Sequence, residues 1–327
     1  MDGTERVRAA LAMEPLERPP AAWWGHTYLE EWSPASLARV TLERQRRFDW
    51  DFVKLQPRAT CFAEAFGAGY RPSGRADRPP VQERALVRDP GDWAAVVSVD
   101  ATVPALEDQT EALARVVLAL DGSVPVVQTV FSPLTVAGYL VGEDRSRAVA
   151  ELRERPDVVR AALGRIAETL AAFAVNAVEA GAAGIFFAVS GYASADLMRE
   201  DEYRELVLSH DRRVLDAIPA AAWCNVLHLC GGNLHFGLTN DLASHAVSWS
   251  VQDSGNPSLA QGRELSGRAV MGGVDRFGAL EIGSPTLVAT QVRDAVAATG
   301  GRGLLVAPGC SVPPEAPIDN LVALTPS

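Results

Sequence analysis

The sequence is short of several things, and each shortage excludes a class of protein. No apolar run is long and unbroken enough to span a bilayer, so a membrane-embedded chain is not expected. Basic residues are outnumbered, 30 Lys and Arg against 41 Asp and Glu, for a formal net charge of −11. A nucleic-acid binder needs a basic stripe to neutralise phosphates. The pairs Arg46-Arg47 and Arg212-Arg213 are isolated and read as solvated helix faces. The first residues, Met1-Asp2-Gly3-Thr4-Glu5-Arg6, lack the apolar core of a signal peptide, so a cytoplasmic location is expected. Cysteines number only four: Cys61, Cys224, Cys230 and Cys310. In a reducing compartment these are thiols, available for metal or chemistry rather than a disulfide framework. A glycine-rich nucleotide fingerprint is also missing. Gly300-Gly301-Arg302-Gly303 falls between a helix and the strand after it, where glycines serve as a helix C-cap and turn.

What remains is an apolar chain of 327 residues, 48% hydrophobic, enough for a large core. A short helix over 4–13 ends at Pro15 and the Pro19-Pro20 pair. An aromatic loop over 23–34 precedes a helix over 35–48. Then come short apolar runs at 51–56, 124–130, 184–189, 223–229, 246–251, 269–274 and 303–307, near the usual strand length. They are apolar on both faces, as parallel strands under helices are. Helices are expected between them, at 157–180, at 195–218 and from Ser284-Pro285 to about 299. Residues 72–90, rich in proline and arginine, read as an exposed insertion or hairpin. Alternating strand–helix units without a nucleotide fingerprint predict an α/β fold, a closed (β/α)8 TIM barrel, formed as a single domain over 1–327.

Chemistry concentrates at Leu227-His228-Leu229-Cys230-Gly231-Gly232. Residues two apart on a strand point the same way, so His228 and Cys230 share a side at the strand's C-terminal end. Active sites of α/β barrels are built at that end. Taken alone the pair is equally a buried hydrophobe beside a loop-bonding histidine. Cys310, just past the last expected strand in Ala307-Pro308-Gly309-Cys310-Ser311, changes the balance. One imidazole and two thiolates form a soft, tetrahedral-favouring set suited to Zn2+, with a fourth position left for water, carboxylate or substrate. Asp253, after the run 246–251, is the candidate for that fourth position, or else caps its loop. His26, Gln128 and Tyr192 are candidate pocket residues. Cys61 and Cys224 read as core, His245 as lying at the opposite rim and His235 as structural. No catalytic acid or base is identifiable.

Three segments resemble the uroporphyrinogen decarboxylase superfamily. They are Glu14-Pro15-Leu16-Glu17-Arg18-Pro19-Pro20, the stretch from Phe131-Ser132-Pro133 to Tyr139-Leu140, and Pro308-Gly309-Cys310-Ser311-Val312-Pro313-Pro314-Glu315-Ala316-Pro317 with Asn320-Leu321. They occur in order along nearly the whole chain. The resemblance implies a (β/α)8 barrel and one of two chemistries: cofactor-free decarboxylation of uroporphyrinogen, or methyl transfer from a methylcorrinoid protein or related donor to a zinc-bound thiol. The chain departs from the decarboxylases in two places. No arginine lies between Arg18 and Arg39, although carboxylate-rich substrates need guanidinium partners. The region of their catalytic aspartate reads Lys54-Leu55-Gln56-Pro57-Arg58, with no acid to match. His228-x-Cys230 with a distant Cys310 resembles instead the ligands of the zinc-dependent corrinoid/coenzyme M methyltransferases; decarboxylases tend to carry histidine at the position of Cys310. The resemblance thus implies a methyltransferase using Zn2+, a small thiol acceptor and a corrinoid carried on a separate protein, and a homodimer. The alternatives are a carboxy-lyase acting on a smaller acid and a non-catalytic zinc-binding barrel.

Overall fold

The computed structural model describes residues 1–325. Its centre is a curled sheet of seven parallel strands: β1 (Val53–Leu55), β4 (Val126–Phe131), β5 (Gly184–Ser190), β6 (Val226–Cys230), β7 (Ala246–Ser248), β8 (Ala269–Val274) and β9 (Leu304–Pro308), adjacent in that order. A separate antiparallel hairpin, β2 (Gly69–Arg71) with β3 (Val81–Arg84), occupies the stretch read as an insertion. The sheet strands are buried along almost their whole length, which explains their unbroken apolar sequences. Helices pack outside, the longest being Pro156–Glu179, whose buried side chains repeat at helical spacing from Val159 to Ala177. Among the described residues, no helix is long and apolar enough to cross a membrane.

One sequence expectation needs correction. The segment 195–218 is not one helix but two, Glu200–Leu206 and Leu208–Asp216, broken at Val207, which leaves the helical region at φ −121°. Among the described residues the curled sheet has seven strands, the coarser form of the expected barrel. Beyond β9 lies only Pro20–Ala22, extended and too short to count as a strand. Ala22 donates its N–H to the Val306 carbonyl, Val306 donates to the Pro20 carbonyl, and Asp51 donates to the Ala21 carbonyl. Pro19 and Pro20 have no N–H to give, so no ladder extends from this point.

The same segment is held by a carboxylate. Asp51, buried just before β1, accepts from Arg6 Nε at 2.9 Å, from both terminal nitrogens of Arg18 at 2.6 and 3.2 Å, and from the Ala21 N–H at 2.9 Å. Trp23, Phe48 and Trp50 pack edge to face beside it, with centroids 4.9 and 5.0 Å apart.

A second buried carboxyl has a cost. Asp211 accepts from the Tyr203 hydroxyl at 2.6 Å, but its other oxygen has no partner among the described residues. Burial pushes its pKa up to about 7. A carboxyl raised in the folded state favours folding while protonated, and that contribution is lost as pH rises through about 7. Asp211→Asn is expected to keep the tyrosine bond and remove the pH dependence. The variant should gain about 2–4 kcal/mol over the parent at pH 8 and much less at pH 4.5. Urea unfolding at the two pH values reads this directly; an equal difference at both would refute it.

Candidate metal centre

The C-terminal ends of β6 and β9 carry the candidate ligands. His228 and Cys230, two apart on β6, face the same side. Gly231 follows at φ +108°, a conformation that favours glycine, and turns the chain away at once. Asn256 holds this turn by donating to the carbonyls of Gly231 and Ser250, at 2.9 and 2.8 Å. Cys310 arrives on the loop after β9. Gly309 lets that loop pass against the end of β7, since a side chain there would meet the Ser250 Cα at 2.6 Å. The loop is fixed by the Gly309 N–H to the Val274 carbonyl and the Val312 N–H to the Trp24 carbonyl, 3.1 and 2.8 Å.

The result is a compact cluster. The two sulfurs stand 3.7 Å apart, and the ligand atoms of His228, Cys230 and Cys310 all lie within 4.8 Å of one another. A tetrahedral zinc with bonds of about 2.3 Å to sulfur sets two sulfurs about 3.7–3.8 Å apart. His228 is buried, and its Nδ1 meets the Ser248 hydroxyl at 3.2 Å while its Nε2 has no partner among the described residues. A buried ring nitrogen without a partner, two sulfurs beside it and a fixing bond on the other nitrogen match a metal-ligating histidine. Cys230 and Cys310 remain partly exposed, so the cluster opens to the rim. The donor set therefore fits a soft divalent ion.

The sulfurs behave as an asymmetric pair. A hydrogen bond from Cys230 holds the Cys310 thiol below its ordinary pKa, with His228 and the Arg276 guanidinium adding to the effect. Cys230, its partner in that contact, is correspondingly held up. Arg145 lies on the Cys230 side, lining a cavity of about 130 Å³ with Thr135, Tyr139, Ser190 and Tyr192. Glu143 lines the same cavity, so the charged groups there are of both signs.

The other candidates are distributed unevenly. Tyr192 lies at this cavity, buried, its hydroxyl unpartnered among the described residues. His26 is half-buried across the mouth, between Glu31 and Gln56. Gln128 does not join them. It pairs in register with Leu55 and Ile185, one residue out of step with the row Thr129, Phe186 and Val226 that leads to His228, so it faces the opposite side of the sheet. Asp253 stands apart from the ligand cluster because β7 stops at Ser248; the turn beyond carries it away, its carbonyl receiving the Asn256 N–H. Cys61 and Cys224 are buried, their thiols pushed up by burial. His245 accepts the Asn225 N–H at the start of β7, and His235 bonds the Met198 carbonyl.

Sequence reasoning passed over Lys54. It lies on β1, buried, its ammonium 5.0 Å from the ring centre of Phe186 and 5.7 Å from that of Trp24. Burial pulls its pKa down to about 7, against the attraction of Cys310 and Glu31. A lysine inside an otherwise apolar strand was the available signal.

A family profile described as uroporphyrinogen decarboxylase (URO-D) matches residues 3–327. A methylcobamide:CoM methyltransferase, MtbA of Methanosarcina mazei, is 23% identical over 97% of this chain and 94% of its own length. A uroporphyrinogen decarboxylase of Azoarcus sp. is 29% identical over 57% of this chain, and that match spans about half (51%) of the relative. Among solved structures, a methyltransferase from Methanosarcina mazei superposes with a TM-score of 0.84 at 24% identity, covering 99% of this chain and 97% of the other. At that identity the superposition speaks for the fold, and the fold is TIM-barrel-like. Full-length relatives thus include both kinds of enzyme that the sequence segments suggested, and on the profile match the chain belongs to the uroporphyrinogen decarboxylase family.

Proposed function

We propose that this protein is a zinc-dependent methyltransferase that moves a methyl group from a methylcorrinoid, or a similar donor, to a small thiol. The reading rests on one observation: three ligand atoms within 4.8 Å, with the His228 Nε2 buried and unpartnered among the described residues. We read the whole chain, 1–327, as one (β/α)8 barrel domain, with Pro20–Ala22 in the eighth strand position.

In this reading His228, Cys230 and Cys310 hold the ion and leave a fourth position toward the rim. A zinc ion bound there supplies Lewis acidity that keeps a thiol in the fourth position deprotonated at neutral pH. Ser248 orients the imidazole, so that Nε2 carries the lone pair. Arg276 favours the thiolate form of both cysteines, and Arg145 that of Cys230. Asp253, away from the cluster, is not a ligand in this reading, whereas His26 and Tyr192 line the approach. The methyl donor docks on the open face; the MtbA relative is named for a methylcobamide donor, and in this reading the corrinoid comes on a separate protein.

Purified protein is expected to contain about one zinc per chain and to demethylate methylcobalamin only when a thiol is added. A metal-free protein that releases carbon dioxide from a carboxylate substrate would instead establish the carboxy-lyase alternative, which the decarboxylase relatives favour.

A further inference from the structure

A chain of four side chains crosses the barrel mouth beside the metal cluster. The Lys54 ammonium donates to Gln56 Oε1 at 2.5 Å. The Gln56 amide Nε2 donates to His26 Nε2 at 3.0 Å. His26 Nδ1 donates to the Glu31 carboxylate at 2.9 Å, which fixes the tautomer. Glu31 also accepts the Thr27 N–H at 2.7 Å and is 1% exposed. Every donor in this chain points from Lys54 toward Glu31, so the four groups form one consistently oriented array. Its far end is a buried carboxylate and its near end a buried ammonium.

The near end is incompletely satisfied. An ammonium has three N–H donors, and Gln56 is the one hydrogen-bond partner of Lys54 among the described residues. Its other neighbours are the faces of Trp24 and Phe186. Phe186 in turn stacks on the His228 imidazole, centroids 5.1 Å apart, and Trp24 receives the N–H of Val312 from the Cys310 loop. Lys54 therefore stands across one aromatic ring from the candidate ligands, with donors to spare.

The charge balance gives those donors a use. A neutral imidazole, two thiolates and a divalent cation sum to zero. An incoming acceptor thiolate makes the site anionic, and in a partly desolvated pocket that charge is costly unless a cation faces it. We propose that Lys54 joins Arg145 and Arg276 in offsetting the acceptor thiolate, as the cation on the β1 side, and that Gln56, His26 and Glu31 are positioning residues that aim it. This rests on the thiol-acceptor reading given above. Held by the array, Lys54 needs no reorganisation when the thiolate arrives.

The test uses the intact protein with cobalt(II) in place of zinc and 2-mercaptoethanol as the probe, a thiol with no charged tail. Sulfur-to-cobalt absorption gives the thiol dissociation constant. Lys54→Met is expected to weaken thiol binding about tenfold or more while cobalt affinity and thermal midpoint change little. Its pH profile for thiol binding should move to higher pH. Gln56→Met keeps the ammonium but frees it, and should weaken binding by a smaller factor, about two to five. Should Lys54→Met lose cobalt or fold poorly, Gln56→Met decides on its own. Thiol affinity within twofold of the parent in a folded, cobalt-loaded variant would overturn the role of Lys54 and leave the methyltransferase reading standing. A parent protein that binds cobalt but no thiol at any pH would overturn both.

Discussion

Cys310→Ala is expected to lower zinc affinity by roughly a thousandfold or more and abolish thiol-dependent demethylation, with little change in thermal midpoint. Three protein ligands are the minimum for a tight catalytic zinc site, and removing one sulfur leaves a weak two-ligand site that water cannot restore. The fold should survive because Cys310 lies on a partly exposed loop secured by backbone bonds from Gly309 and Val312, none of which uses the sulfur. Cys310→His is the informative companion. It restores a third ligand of a different kind, so metal should return while methyl transfer stays impaired, because two imidazoles and one thiolate give a more electrophilic, less electron-rich centre. Metal content by atomic absorption after dialysis against a chelator measures the first effect. Retention of stoichiometric zinc in Cys310→Ala would show that the sulfur is not a ligand.

The second large effect concerns stability. Asp51→Ala removes the acceptor shared by Arg6, Arg18 and the Ala21 N–H. Both arginines are mostly buried, 18% and 26% exposed at their side chains, so each is left with an unmatched charge. Stranding one partner of a buried ion pair costs about 3–5 kcal/mol, and the partial exposure here places the expected loss at about 3 kcal/mol. Asp51→Asn should cost less, since its amide oxygen still accepts the Ala21 N–H. Urea unfolding gives the comparison. A loss below about 1 kcal/mol would mean that the pairs are satisfied equally well by solvent. Asp51 also sits where the first strand meets Pro20–Ala22, so its removal should loosen the one backbone connection between β1 and β9 among the described residues.

Much of this architecture is written in local pattern. The central strands were legible because burial on both faces leaves them apolar along their length, and the ends of the helix at Pro285–Thr299 because Ser284 and Gly300 cap it. The cluster His228, Cys230 and Cys310 was legible through strand parity and the habit of barrels to build sites at one end. Other features depend on neighbours remote in sequence. The face on which Gln128 lies is set by its register against Leu55 and Ile185, and a one-residue difference reverses it. Asp253 looked close to the site only while the run 246–251 was taken as strand throughout; β7 ends three residues earlier. The break at Val207 has no proline or glycine to announce it. Lys54 was hidden for a related reason. Its surroundings come from Trp24, Phe186 and the Cys310 loop, none of which is near it in the chain. The pairing of Pro20–Ala22 with β9 was concealed by its own composition, because a proline pair argues against a strand even where one neighbour supplies the needed bonds.

The two sulfurs are separated by 80 residues. During synthesis the ribosome releases the His-x-Cys half first, while the other thiol is still unmade. On the metal-site reading proposed above, a nascent chain can offer an ion only a bidentate hold, and three-ligand capture waits until β9 has joined the sheet and its trailing loop has met Trp24. Loading is then a late step, and occupancy a report that β9 and its loop are correctly placed.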